Sequence, residues 1–167
     1  LGPGGIGKTA LSRAYGLRAS IANRFPGGVW FCDLSEARTV LEIVQILSAA
    51  IDMKMPASAD PARGMGKAMV SRGAMLLIMD NFEQVAHLAK QTIWPWIQES
   101  AELRIIATSR QRLGLLEENV LELLPLSNKA AVRLFVDRAA QLRVGYRPNP
   151  PAMKSIENIV RRLDCIP

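Results

Sequence analysis

Apolar residues along this chain follow two alternating rhythms. Short continuous runs, "VWFCDLS" at 29–35, "AMLLIMD" at 74–80, "LRIIATS" at 103–109 and "NVLELLPL" at 119–126, have the length and branching of buried strands. Between them the apolar positions recur at helical spacing. From Lys8 to Phe25 the repeat is Ala10, Leu11, Ala14, Leu17, Ile21 and Ala22, and "TVLEIVQILSAAI" at 39–51 is a second amphipathic helix. "FPGG" at 25–28 ends the first helix with a turn. The Pro- and Gly-bearing stretch 53–66 reads as a connector, followed by a short helix to Arg72. Beyond residue 126 the pattern is helical, "SNKAAVRLFVDRAAQL" and then "PAMKSIENIVRRL", joined by "RVGYRPNP". The alternation predicts an α/β fold, a parallel sheet flanked by helices over 1–126, with a small helical subdomain over 127–167.

Composition narrows the class. Of 167 residues, 49% are hydrophobic and 22% charged, which excludes a disordered chain, and no apolar run approaches the roughly 18 residues of a membrane span. Two cysteines far apart and a single histidine, His87, provide neither a metal-ligand cluster nor a disulfide framework, so a reducing, cytoplasmic setting is expected. The net charge of +6 is spread along the chain without a block of five or six cations. That argues for a solvated basic surface with a few phosphate-contacting cations rather than direct binding of nucleic acid.

The chemistry concentrates at the start. "GPGGIGKT" at 2–9 spells G-x-x-x-x-G-K-[ST] in full. Its glycines let backbone N–H groups turn inward as an anion nest at a helix N-terminus, Lys8 adds a charge for β/γ-phosphate oxygens, and the Thr9 hydroxyl can ligate Mg²⁺. Only Leu1 stands where a buried strand should precede the loop, so the expectation is a segment cut inside a nucleotide-binding domain. Asp80 ends the run 74–79, where open α/β sheets place ligands, and is the candidate magnesium acid. Thr108, Ser109 and Arg110 close the run "RIIATS" with polar groups able to sense a γ-phosphate. Trp94 and Trp96 around Pro95 read as a helix start packed on the core; His87, Arg161 and Arg162 read as surface residues.

On these residues the chain resembles the nucleotide-binding domain of STAND ATPases, the NB-ARC-related signal-transduction class of P-loop proteins. The likeness is greatest to bacterial LuxR-type transcription regulators and related predicted ATPases. It is carried by "GPGGIGKTAL", "VWFCDL", "LLIMDNFEQV", "LRIIATSRQRLGLLEENVLELLPLS", "AVRLFVDRA" and "IVRRLDCIP", which run in order across essentially the whole chain. The resemblance implies ATP/ADP and Mg²⁺ as ligands, with Gly2, Gly4, Gly5, Gly7, Lys8, Thr9 and Ala10 around phosphate and metal. It implies Asp80 as the Walker B acid, Arg110 as the sensor arginine, and Pro167 as the proline of a Gly-hydrophobic-Pro motif near the nucleotide. It also implies a sensor strand lying between the P-loop and Walker B strands. Sensor repeats and an effector domain of the same longer chain, any DNA contact through that effector, and nucleotide-dependent self-association are the partners it implies.

Three positions depart from the pattern. Glu117 and Cys165 stand where the group usually has glycine, which puts the turn before Pro167 in question. Asn81 follows Asp80 where many relatives carry a second acid, and an amide cannot act as a general base. Glu83 is the nearest carboxylate, although it reads equally as a first-turn helix acid. The expectation is a regulatory switch with slow Mg²⁺-dependent ATP hydrolysis; a nucleotide-binding scaffold that never hydrolyses is the alternative.

Overall fold

The computed structural model describes residues 1–143 and 145–167. It divides into two compact units, one of Leu1 with residues 8–121 and one of residues 2–7 with 122–167. The first unit is mixed α/β. Its order is α1 (Lys8–Ile21), β1 (Val29–Asp33), α2 (Val40–Ala50), α3 (Pro61–Val70), β2 (Met75–Asp80), a pair of short helical turns over Phe82–Leu88, α4 (Ile93–Glu99) and β3 (Leu103–Ala107). The strands form a parallel sheet in the order β1-β2-β3, with Asp33 level with Asp80 and Met79 level with Ala107. The middle strand is buried along its whole length, as its unbroken apolar run requires.

Alternation gives the sheet two unlike faces. Trp30, Cys32, Met75, Leu77, Met79, Leu103, Ile105 and Ala107 join the larger core with α2, α3 and α4. Val29, Phe31, Leu76, Ile78 and Ile106 cluster with Ala19 of α1. The Trp94–Pro95–Trp96 segment does start a helix on the core: Trp96 is fully buried and its indole N–H donates to the Ala62 carbonyl at 2.8 Å.

The structure corrects the sequence reading at three places. The apolar set Ala10, Leu11, Ala14, Leu17, Ile21 and Ala22 faces outward, with Leu17 64% and Ile21 78% exposed. The helix sits instead on Ser12, Gly16 and Ala19, small residues that bring its backbone close to the strands. A Cβ on Gly16 would fall 2.5 Å from the Ile78 Cδ1 methyl. Next, α3 begins at Pro61, inside the predicted connector. Asp60 caps it by accepting the Arg63 N–H, and proline at the first position costs nothing because no intrahelical donor is needed there. Finally, the run 119–126 forms no strand; Leu121 and Leu124 are exposed and no described strand pairs with it. A strand exists only through its ladder, which apolar periodicity alone cannot supply.

In the second unit α5 (Asn128–Leu142) and α6 (Pro150–Arg162) pack through Ala131, Val132, Val136, Ile156 and Val160. Ser127 and Asn149 cap them by accepting N–H bonds from Ala130 and Ala152. Within the predicted loop 143–150, Val144 lies outside the described residues. No helix among the described residues is long and apolar enough to cross a membrane.

Candidate functional site

The C-terminal edge of the sheet carries a row of polar side chains on the face that α1 covers. Counting along each strand, Val29, Phe31 and Asp33 share that face with Leu76, Ile78 and Asp80, and with Ile106 and Thr108. Asp80 occupies the middle of the row and is 3% exposed. Its carboxylate is satisfied by hydroxyls from two directions. The Thr9 Oγ1, in the first turn of α1, lies 2.9 and 2.8 Å from the two Asp80 oxygens, and the Thr108 Oγ1 donates to Oδ1 at 2.5 Å.

Thr108 joins the strand ends beyond the ladder. Its hydroxyl accepts the Asn81 N–H at 3.1 Å, its N–H donates to the Met79 carbonyl, and its carbonyl accepts the Phe82 N–H. Ser109 is buried, and its hydroxyl accepts the Gln111 N–H. Thr9 and Asp80, 71 positions apart in sequence, therefore meet directly. They form a hydroxyl–carboxylate pair of hard oxygens, the donor chemistry that suits Mg²⁺.

Asn81, the residue after β2, takes the left-handed conformation, φ 59° and ψ 36°, which asparagine tolerates better than most residues. This turns its amide toward the neighbouring strand, where Nδ2 donates to Asp33 Oδ1 at 2.9 Å. The same oxygen accepts the Ser35 N–H at 3.0 Å. These bonds, the Asn81 amide first and the Ser35 backbone second, hold the Asp33 carboxyl below its ordinary value, with a further contribution from Arg13. Arg13 itself lies over the Phe31 ring, 4.3 Å from its centroid.

Glu83 and Arg110 are paired with one another. Arg110 Nε stands 3.1 Å from Glu83 Oε1, and Glu83 Oε2 is a buried oxygen with no hydrogen-bond partner. The guanidinium is largely exposed, the carboxylate largely covered.

The glycine-rich loop belongs to the second unit. Gly5 and Gly7 adopt φ of 77° and 92°, conformations open to glycine and strained for other residues, and the loop leads into α1 at Lys8. Gly2 is half-buried and also at positive φ, while Gly4 and Gly5 are exposed. Lys8, half-buried, opens α1, and Ala10 is exposed one residue past Thr9. Pro167 Cγ lies 3.7 Å from where a Cβ on Gly7 would stand, and Ile166 Cγ2 lies 3.4 Å from the corresponding point on Gly5. The turn before Pro167 forms without glycine: Asp164 and Cys165 take φ of 52° and 55°, and the Cys165 carbonyl accepts the Leu126 N–H. Glu117 keeps negative φ, so its backbone does not call for glycine. His87, Arg161 and Arg162 are exposed.

Sequence reasoning missed Asp33. Its signal was present, because "VWFCD" is an apolar run closed by an acid, the same form as "MLLIMD". Only the register shows that the two acids stand side by side.

No family model matches the chain. An uncharacterized protein of Mycobacterium tuberculosis is 31% identical over 170 residues, covering 99% of this chain and 42% of its own length. One from Mycobacterium bovis aligns to the same extent. A Mycobacterium tuberculosis protein named "Putative HTH-type transcriptional regulator" is 26% identical over 167 residues, covering 99% of this chain and 18% of itself. The chain thus spans less than half the length of the curated relatives it matches.

Proposed function

We propose that this chain is an ATP/ADP-binding switch domain of the STAND P-loop class, within a regulator of transcription or signalling, and that it hydrolyses ATP slowly. The observation that carries the reading is the direct bond between Thr9 and Asp80. The hydroxyl that ends the G-x-x-x-x-G-K-T sequence and the acid that ends β2 are the two groups a phosphate-bound magnesium needs on one spot. When bound, Mg²⁺ supplies charge neutralisation of the phosphate tail. On this reading Thr9 and Asp80 hold the ion, Lys8 contacts the β- and γ-phosphates, and the sequence of residues 2–7 is that of an anion-binding turn. Thr108 keeps the Asp80 carboxylate fixed, and Pro167 supports the loop at Gly7. The regulator assignment draws on the relative named for transcriptional regulation, whose helix-turn-helix is a property of that protein.

Thermal unfolding of the full-length protein with ADP or ATP and Mg²⁺, beside Lys8→Ala, tests the reading. Ligand at about 100 times its dissociation constant adds about 2.7 kcal/mol. For a domain of this size that is roughly 5–10 °C. The shift is expected in wild type and lost in Lys8→Ala. An unshifted wild-type transition, with no binding by isothermal titration calorimetry, overturns it.

A further inference from the structure

Hydrolysis of a nucleoside triphosphate needs a group that aims a water at the γ-phosphorus, and Asp33, Asp80 and Glu83 are carboxylates at or just past the sheet edge. Asp80 is committed: its oxygens receive the Thr9 and Thr108 hydroxyls, and its surroundings are closed to solvent. Glu83 is committed as well, with Oε1 on Arg110 and Oε2 sealed from water. Asn81 is an amide that donates its N–H to a neighbour. Asp33 remains. It is the register partner of Asp80, so both side chains leave the same face of the sheet. It is exposed, and its Oδ1 accepts the Ser35 N–H and the Asn81 Nδ2 hydrogen. Those two donors hold the orientation of a carboxylate that stands exposed at the end of β1.

We propose that Asp33 is the residue that orients the attacking water, with Asn81 as its positioning residue. This rests on the nucleotide reading above and names the group that reading lacks. The water oxygen forms a bond to the γ-phosphorus as the bond from that phosphorus to the β–γ bridging oxygen breaks. The bonding pair leaves with ADP, and the water proton passes to a phosphate oxygen. Asp33 accepts one O–H during the approach and fixes its direction. Phosphoryl transfer runs through a loose transition state, so aim matters more than basicity, and an acid that stays ionised suffices. A carboxylate held by an amide on the adjacent strand also explains why an asparagine can follow Asp80.

Asp33→Asn is the decisive variant, because its side-chain carbonyl still accepts from Ser35 and Asn81 while the charge is lost. Asp33→Ser, which keeps an acceptor for Ser35, is the second. ATP affinity by isothermal titration, melting temperature and single-turnover hydrolysis are measured on the full-length protein, with Glu83→Gln alongside. The expected result is ATP affinity within about threefold of wild type. Hydrolysis should fall by about 100-fold or more in both Asp33 variants. Wild-type turnover in Asp33→Asn with nucleotide bound overturns the proposal, as does a loss confined to Glu83→Gln, or a wild type that binds ATP and never cleaves it. Absence of nucleotide binding in the wild type fails the nucleotide reading itself, a separate outcome.

Discussion

Gly16→Val tests how α1 reaches the sheet and, with it, how Thr9 reaches Asp80. Thr9, Ser12, Gly16 and Ala19 recur at spacings of three and four, one stripe of small residues along the helix. A Cβ at Gly16 would stand 2.5 Å from Ile78 Cδ1 and 3.3 Å from Val29 Cγ1. Carbon atoms rest at about 3.5–4.0 Å, so roughly 1 Å must be recovered. Alanine can recover it by turning the terminal methyl of Ile78, at about 0.5–1.5 kcal/mol. Gly→Ala in a helix returns about 1 kcal/mol, and the two nearly cancel. Valine adds two more carbons on a stiff β-branched stem, with Ile78 on one side and Val29 on the other. Overpacking of that kind costs about 1–3 kcal/mol, and valine recovers less propensity than alanine. If the helix lifted by about 1 Å instead, the Thr9–Asp80 separations of 2.8 and 2.9 Å would stretch beyond hydrogen bonding. Urea unfolding should place Gly16→Ala within about 1 kcal/mol of wild type and Gly16→Val about 2–3 kcal/mol below it. Leu17→Ser is the contrast. A core leucine would cost about 2–5 kcal/mol on truncation, whereas the exposed Leu17 predicts a change within about 0.5 kcal/mol. A stable Gly16→Val beside a crippled Leu17→Ser would mean the helix is seated on its other face.

Two further outcomes follow from the backbone and the thiols. Asp164 is exposed and left-handed at φ 52°, so Asp164→Gly should relieve strain and raise stability by about 0.5–1 kcal/mol, read as a melting temperature about 1–4 °C higher; an unchanged or lower value refutes the strain. Burial pushes the Cys32 thiol up to about 12, while Cys165 is only half-buried, so a thiol reagent at pH 8 should label Cys165 first and leave Cys32 protected until unfolding. Equal labelling rates in the folded protein refute that ordering.

What could be read in advance followed from signals carried locally. The three paired strands each appear as an apolar run with a polar end, because a strand inside a sheet needs apolar side chains on both faces. Asp80 was legible for the same reason, as the first charge after a buried run. The seat of α1 was not legible, since hydrophobic periodicity assumes that large residues face inward. A helix that lies close on a sheet inverts the rule: Gly16 and Ala19 are chosen for their lack of bulk, and Leu11 and Leu17 are displaced outward. The start of α3 was hidden because proline and glycine count as breakers unless the cap is recognised, here Asp60 followed by Pro61. Asp33 was hidden because register, not composition, sets which strand ends are neighbours.

Asn81 shows how one position can answer to backbone and chemistry at once. Its φ of 59° directs the chain from β2 into the turns at Phe82, and asparagine accepts that conformation at lower cost than glutamate or a branched residue. The resulting orientation delivers an amide donor to Asp33 across the sheet edge. A carboxylate there would face Asp33 and adjoin Asp80, so like charges would crowd two adjacent strand tips. The amide removes that repulsion and fixes Asp33 instead. Residues 33 and 81 therefore constrain one another: with an acid at the end of β1, the position after Asp80 is best filled by a side chain that donates, and asparagine is the donor that also makes the turn.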